Sequence, residues 1–306
     1  MADTGPESAP RAGAATELAP GLRRVLAPNP SPMTHWGTNT YLLGEEEVAV
    51  IDPGPDDAAH LAAILDALPP GARVSHILVT HAHRDHSPAA RPLSEATGAP
   101  VLAFGDAGAG RSAAMEELAA SGLAGGGEGV DRDFAPDIRL SDGAEVAGAG
   151  WRLTALHTPG HMGNHLCLAW GDVLFTGDHV MGWASSLVSP PDGDLGDFMA
   201  SCARLRRAGW RVFHPGHGAP VTDPAARLDW LIAHRRAREA QIRAALSEAP
   251  GSAADLAARI YSDTPAALLP AAARNVLAHL LDLRARGLAA PDGALSEHAV
   301  FRARDD

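Results

Sequence analysis

Short apolar runs broken by glycine- and proline-rich turns alternate along this chain with a few longer stretches of helical spacing. Residues 40–43 and 48–51 read as two neighbouring strands with a turn at Gly44, and Asp52-Pro53-Gly54 ends the second. Leu61, Ile64, Leu65 and Leu68 recur at helical spacing over 58–68, and Pro69-Pro70-Gly71 stops that helix. Residues 74–79 form the next predicted strand and run straight into Thr80-His81. Ser87-Pro88 has the form of an N-cap followed by proline at the first helical position. Further strands are predicted over 100–104, at Val146, and over 151–156, 166–170, 173–175 and 210–213, followed by a long helix over 224–246. Residues 106–135, rich in Ala and Gly, carry no clear period and are compatible with a mobile flap.

The texture changes near residue 250. Helices are predicted over 252–260, capped by Ser252, and over 270–286. A turn at Pro291-Asp292-Gly293 and a short strand over 299–302 follow. Helix, helix, hairpin is the winged-helix order. The expected organisation is therefore a flexible N-terminal tail (1–21), a large catalytic unit (22–249) and a small winged-helix-like unit (250–306), divided near Pro250-Gly251.

Composition narrows the classes. The chain has 306 residues, 46% hydrophobic and 20% charged, enough apolar side chains for a sizeable core. Net charge is −12, and all 25 basic residues are Arg. Such an acidic chain is not a general polyanion binder. Residues 250–306 carry six Arg against seven Asp and Glu, so strong duplex-DNA binding is not expected of the winged helix. Cys167 and Cys202 are the only cysteines; they read as small buried hydrophobes in a reducing compartment, and a cytoplasmic location is expected. No apolar run reaches the length of a membrane span, and 1–20 lacks the apolar core of a secretory leader, so no membrane partner is expected.

Candidate chemistry concentrates where predicted strands end. Thr80-His81-Ala82-His83-Arg84-Asp85-His86 places three His and one Asp within six positions of a strand-to-helix loop. His81 and His83 are two apart and point the same way in extended backbone, so both imidazoles can bind one cation. Asp85 and His86 follow as the chain turns and can face a second cation. Three more predicted strands lead into Gly-containing turns that deliver His161, Asp178 and His217. His179, His214, His35, His60, His76, His157, His234, His279 and His298 read as ordinary core, turn or surface residues, and Trp183 is a candidate pocket wall.

These motifs together resemble the metallo-β-lactamase-fold hydrolases, over about residues 22–250. The resemblance implies an α/β, four-layer αββα sandwich, here with a small C-terminal winged helix. Carried over, His81, His83 and His161 are expected to bind the first metal, and Asp85, His86 and His217 the second, with Asp178 bridging. Asp178 and Asp85 are the expected catalytic carboxylates; Asp52, His165 and Arg84 are expected to support the ligands. The expected cofactor is two Zn²⁺, with Mn²⁺ or Fe²⁺ also compatible. Residues 177–191, the helix around His234 to Glu239 and the winged helix are similar to the β-lactamase-like protein 2 group, which includes a mitochondrial endoribonuclease. Asp178 stands where true β-lactamases have a zinc-binding Cys, and His83 stands where the flavodiiron branch has Glu.

Two divalent cations held by these residues would supply Lewis acidity and a water of lowered pKa, the chemistry for attack on a carbonyl carbon or a phosphorus. The resemblance thus implies a dinuclear hydrolase of an ester-type or phosphodiester substrate, small-molecule or single-stranded RNA. The alternatives are a glyoxalase II-like thioesterase, a mononuclear iron persulfide dioxygenase and a non-enzymatic winged-helix DNA-binding regulator.

Overall fold

In the computed structural model, which describes residues 9–120, 122–123, 129–261, 265 and 268–304, two β-sheets lie face to face. The first runs in spatial order β1 (Ala15–Ala19), β2 (Leu22–Leu26), β3 (Asn39–Leu43), β4 (Glu47–Ile51), β5 (Arg73–Leu78), β6 (Val101–Ala103) and β7 (Ile138–Arg139). Pairing is antiparallel from β1 to β4 and parallel from β4 to β7. Parallel neighbours need crossovers; α1 (Ala58–Asp66), α2 (Ala90–Thr97) and α3 (Ala113–Ala120) lie in them. The second sheet runs β12 (Val212–Pro215), β11 (Val173–Gly177), β10 (Leu166–Trp170), β9 (Trp151–His157), β8 (Glu145–Gly148). Its one parallel pair, β11–β12, is joined through α4 (Leu195–Arg206).

Alternation along the strands builds the layers. Tyr41, Leu43, Ala49, Ile51 and Leu78 face Leu153, Leu166, Leu168 and Phe175 of the second sheet. Their neighbours Leu42, Val48, Val50 and Ile77 face outward, onto Ile64 of α1 and Leu93 of α2. On the far side, Leu174 and Phe213 pack on Phe198 and Leu205 of α4 and on Leu228 and Leu231 of α5 (Pro224–Glu248). The order is helix, sheet, sheet, helix. Both cysteines are buried and unpaired in that last layer.

The C-terminal unit holds α6 (Ala253–Ile260), α7 (Leu269–Ala285) and a hairpin of β13 (Ala289–Pro291) and β14 (Phe301–Ala303). Ser252 caps α6 in a reciprocal capping box with Asp255. Leu256, Val276, Leu280 and Phe301 form its centre, joined by Ile242 and Leu246 of α5 and by Met115 and Leu118 of α3. The core therefore runs across the expected division near residue 250.

Several expectations need correction. The tail does not extend to residue 21, because Ala15–Ala19 is an edge strand paired with β2; the part before residue 9 lies outside the described residues. Its first three side chains are exposed and only Leu18 and Ala19 are half-buried, so no alternating pattern arises. Ser87 does not cap a helix: α2 starts at Ala90 without a side-chain cap, and Ser87 Oγ donates instead to Asp131 Oδ2 (2.8 Å). Within 106–135, of which 121 and 124–128 lie outside the described residues, α3 packs into the C-terminal core and Val130 bridges to His83. The sequence pattern predicts no helix over Leu195–Arg206, where α4 forms. Its N-cap, Asp194, accepts from Gly196 N and Asp197 N, a start signal lost among Pro190, Pro191 and Gly193.

One polar tie joins the sheets beside the site. Tyr41 Oη donates to Pro215 O (2.6 Å), and Asn39 Nδ2 donates to the same oxygen (3.0 Å) and to Gly218 O (2.9 Å). Tyr41→Phe leaves Pro215 O with one donor, so the expected cost is about 1 kcal/mol. A thermal melt should show a midpoint lower by a few degrees, with the secondary structure unchanged.

Candidate metal centre

All the loops that carry candidate chemistry emerge at one end of the sandwich. The 80–86 loop follows β5, the turn to His161 follows β9, Asp178 follows β11 and His217 follows β12. Two groups of donors form there, each with its ligand atoms within 4.8 Å of one another. One is His81, His83 and His161; the other is Asp85, His86, Asp178 and His217. All seven side chains are buried. Asp178 stands between the groups, with Oδ2 3.8 Å from His161 Nε2 and 3.3 Å from His217 Nε2. Gly216 is required for space, since a Cβ there would collide with Asp178 Oδ1.

Hydrogen bonds on the outer sides of the rings fix which nitrogen faces the centre. His161 Nδ1 donates to Leu187 O (2.7 Å), and His217 Nδ1 to Gly37 O (3.1 Å). His86 Nδ1 donates to Asp52 Oδ2 (2.9 Å). Thr80 Oγ1 donates to Asp52 Oδ2 (2.8 Å), which leaves its lone pair to accept from His81 Nδ1 (3.0 Å). These four rings thus spend their Nδ1 protons outward and leave Nε2 as the atom that faces the donor groups. His81 Nε2 and His161 Nε2 each lie 3.0 Å from His83 Nδ1, more lone pairs than one proton can serve. Asp178 Oδ1 is buried without a hydrogen-bond partner. Converging bare nitrogens and an orphaned carboxylate oxygen fit a bound cation.

Electrostatics divide the groups. Burial, then the neighbouring rings, holds His81 well below the usual imidazole value, and burial with His161 pushes His83 down to about 3. Burial also lowers His161. These three rings are neutral, as metal binding requires. In the second group burial pulls the rings down, but the carboxylates around them win. Asp85, Asp178 and Asp52 hold His86 well above its usual value, and Asp178 with Asp85 raises His217 to about 10. Against the opposing effect of burial, His217 and His86 hold the Asp178 carboxyl far below the ordinary range, and His86 and His217 do the same for Asp85. Two carboxylates are thus balanced by two imidazolium protons, which a cation can replace.

Asp52 sits at the end of β4 in the left-handed region (φ 51°). It accepts from Thr80 N (2.7 Å), Thr80 Oγ1 and His86 Nδ1. His165 is buried with its ring 5.2 Å from that of His81, and its Nδ1 lies 3.0 Å from Thr80's counterpart in the next loop, Thr158 Oγ1. Arg84 does not support the ligands as expected: its side chain is exposed and runs past Gly129. Trp183 stacks on His35 (4.8 Å) outside the donor groups. His179 belongs to neither group; it packs on Phe198 and lies 3.6 Å from Cys202 Sγ. His214 lies against Tyr41 and Phe175. A cavity of about 30 Å³ opens on the donors, and its remaining walls are Met33, Met181 and Leu187. Nothing in the sequence marks those walls or the carbonyls of Leu187 and Gly37, because a backbone acceptor leaves no side-chain signature.

With this geometry the chain belongs to the metallo-β-lactamase superfamily, whose model matches residues 33–240. It is a metal-dependent hydrolase with a His/Asp dimetal-binding site. A second model, the beta-lactamase associated winged helix domain, matches residues 252–296. Among similar proteins, the beta-lactamase-like protein 2 homolog of Drosophila melanogaster is 32% identical over 290 residues, 90% of this chain and 91% of that one. An atrochrysone carboxyl ACP thioesterase of Claviceps purpurea is 30% identical over 234 residues, 75% of this chain and 66% of that one. A beta-lactamase domain protein from Burkholderia ambifaria superposes with a TM-score of 0.80 at 25% identity, over 97% of this chain and 96% of that one. Among the described residues no helix is long and apolar enough to cross a membrane.

Asp52→Ala tests the support beneath the donors. It strands the Thr80 and His86 donors in a buried place, at an expected cost of about 2–3 kcal/mol. Metal affinity should fall about 10–100-fold. Denaturant unfolding and a competitive Zn²⁺ titration read the two effects separately; parent-like values in both would remove the role given to Asp52.

Proposed function

We propose that this chain is a dinuclear zinc hydrolase of small thioesters or related esters. His81, His83 and His161 hold one ion, and Asp85, His86 and His217 hold the other, with the Asp178 carboxylate between them. The observation that carries this reading is the pair of donor groups meeting at Asp178 beneath a cavity otherwise walled by Met33, Met181 and Leu187. Imidazole with carboxylate is a donor set that suits zinc, and Mn²⁺ or Fe²⁺ fit it less specifically. When bound, the ion pair supplies Lewis acidity and a water of lowered pKa.

The chain's own residues do the rest. Asp178 is ionised at neutral pH and is placed to orient the attacking water. Asp85, 3.1 Å from His217 Nε2, adds the second negative charge. The thioether and leucine walls limit stray water around the reacting carbonyl. A thioesterase among the similar proteins supports a thioester substrate. The net charge of −12, and a C-terminal unit with more acidic than basic residues, support a small molecule over single-stranded RNA.

A turnover panel on metal-quantified protein tests this reading. Acyl thioesters should be cleaved, with single-stranded RNA and β-lactams left intact; RNA cleavage without thioester turnover would overturn it. Chelation should stop the reaction, and added Zn²⁺ or Mn²⁺ should restore it. His81→Ala and Asp178→Ala should each lower kcat/KM by more than about 10⁴-fold, the scale seen when members of one catalytic unit are removed. Circular dichroism should show both variants folded.

A further inference from the structure

The His161 ring is oriented by a carbonyl that belongs to a loop braced from the C-terminal unit. Its Nδ1 donates to Leu187 O (2.7 Å). Leu187 O and Val188 N are the two ends of one planar peptide group, so fixing the N–H end fixes the direction of the C=O end. Val188 N donates to Asn275 Oδ1 of α7 (3.3 Å). The same Asn275 oxygen accepts from Arg235 Nη1 of α5 (3.0 Å). Arg235 Nη2 also donates to Ser186 O, one residue before Leu187. Arg274, next to Asn275, donates to Pro190 O (3.2 Å) at the far end of the loop.

Arg235 is an unusual group to find there. It is 3% exposed, its guanidinium lies 5.2 Å above the Phe198 ring, and among the described residues no carboxylate pairs with it. A buried cation solvated only by carbonyl oxygens and a ring face holds those oxygens tightly, because nothing else offsets its desolvation. A peptide whose N–H is already bonded is also more polarised, so its C=O is a better acceptor.

We infer that Asn275 and Arg235 are positioning residues for His161: the C-terminal unit sets the Leu187 carbonyl, and through it the ring that faces the first donor group. This rests on the reading of His161 as a metal donor. The C-terminal unit then has a task at the metal site that needs no nucleic acid. The chain of contacts predicts a selective effect on one metal position.

The test uses the full chain with Asn275→Leu, which removes the acceptor at similar size, and Asn275→Asp, which keeps an oxygen for both donors. His161→Ala serves as the reference. Zn²⁺ affinities for both equivalents are read by chelator competition, and the Co²⁺ absorption spectrum reports the coordination at each. Asn275→Leu should weaken one equivalent about 10-fold, the lower end of effects from groups behind a ligand, and should change the same Co²⁺ band as His161→Ala. The other equivalent should keep its affinity, and Asn275→Asp should match the parent. If Asn275→Leu does not fold, Asn275→Ala is read by the same criteria. Parent-like binding in the acceptor-less variant, equal weakening of both equivalents, or failure of Asn275→Asp to restore the parent value would each overturn the inference. If His161→Ala still binds both equivalents, the ligand reading falls and the inference falls with it. If His161→Ala loses one and Asn275→Leu loses none, the inference alone falls.

Discussion

Seven buried metal-competent side chains share one end of the sandwich, and their nitrogens can face one another only because their other atoms are occupied. Each of His81, His86, His161 and His217 gives its Nδ1 proton to an acceptor outside the cluster: Thr80 Oγ1, Asp52 Oδ2, Leu187 O and Gly37 O respectively. Those acceptors come from four different stretches of chain. The fold can be understood as the means of bringing them there. Two sheets in register place the ends of β4, β5, β9, β11 and β12 at a common rim. Asp52 then ties the first and second of these ends through Thr80.

The division of charge follows from the same arrangement. Three neutral rings make up one donor group, while two carboxylates and two protonated rings make up the other. Asp178, at the boundary, keeps one buried oxygen, Oδ1, free of hydrogen bonds. Low dielectric strengthens every one of these interactions, and it also makes any unpaired member costly.

Much of this was legible in the chain, and the reason is local. His81, His83, Asp85 and His86 lie within one loop at the end of an apolar strand, so their spacing alone shows that they converge. His161, Asp178 and His217 each follow a strand and a glycine-bearing turn, a device visible without any tertiary knowledge. The packing pattern of β3, β4 and β5 was equally readable, because both faces are buried. Ala15–Ala19, an exposed edge, had no such pattern, and α3 was hidden in a stretch rich in Ala and Gly. Arg84 lies inside the ligand loop, yet successive residues in a loop turn to different sides, and its side chain faces solvent. The acceptors at Gly37 and Leu187 are main-chain atoms, whose identity depends on where a loop passes and not on which residue it carries.

The helix Ala113–Ala120 lies between β6 and β7 of the first sheet, but its Met115 and Leu118 are packed among α5, α6 and α7. The loop over 186–190 is likewise gripped by Asn275 and Arg274. An emerging polypeptide has made every donor of the metal site once residue 217 is out, yet it cannot bury Met115 or seat Leu187 until residue 275 has followed. The order of synthesis therefore leaves a nascent chain with its chemistry complete and its scaffold open, an interval that ends only when the last helix docks.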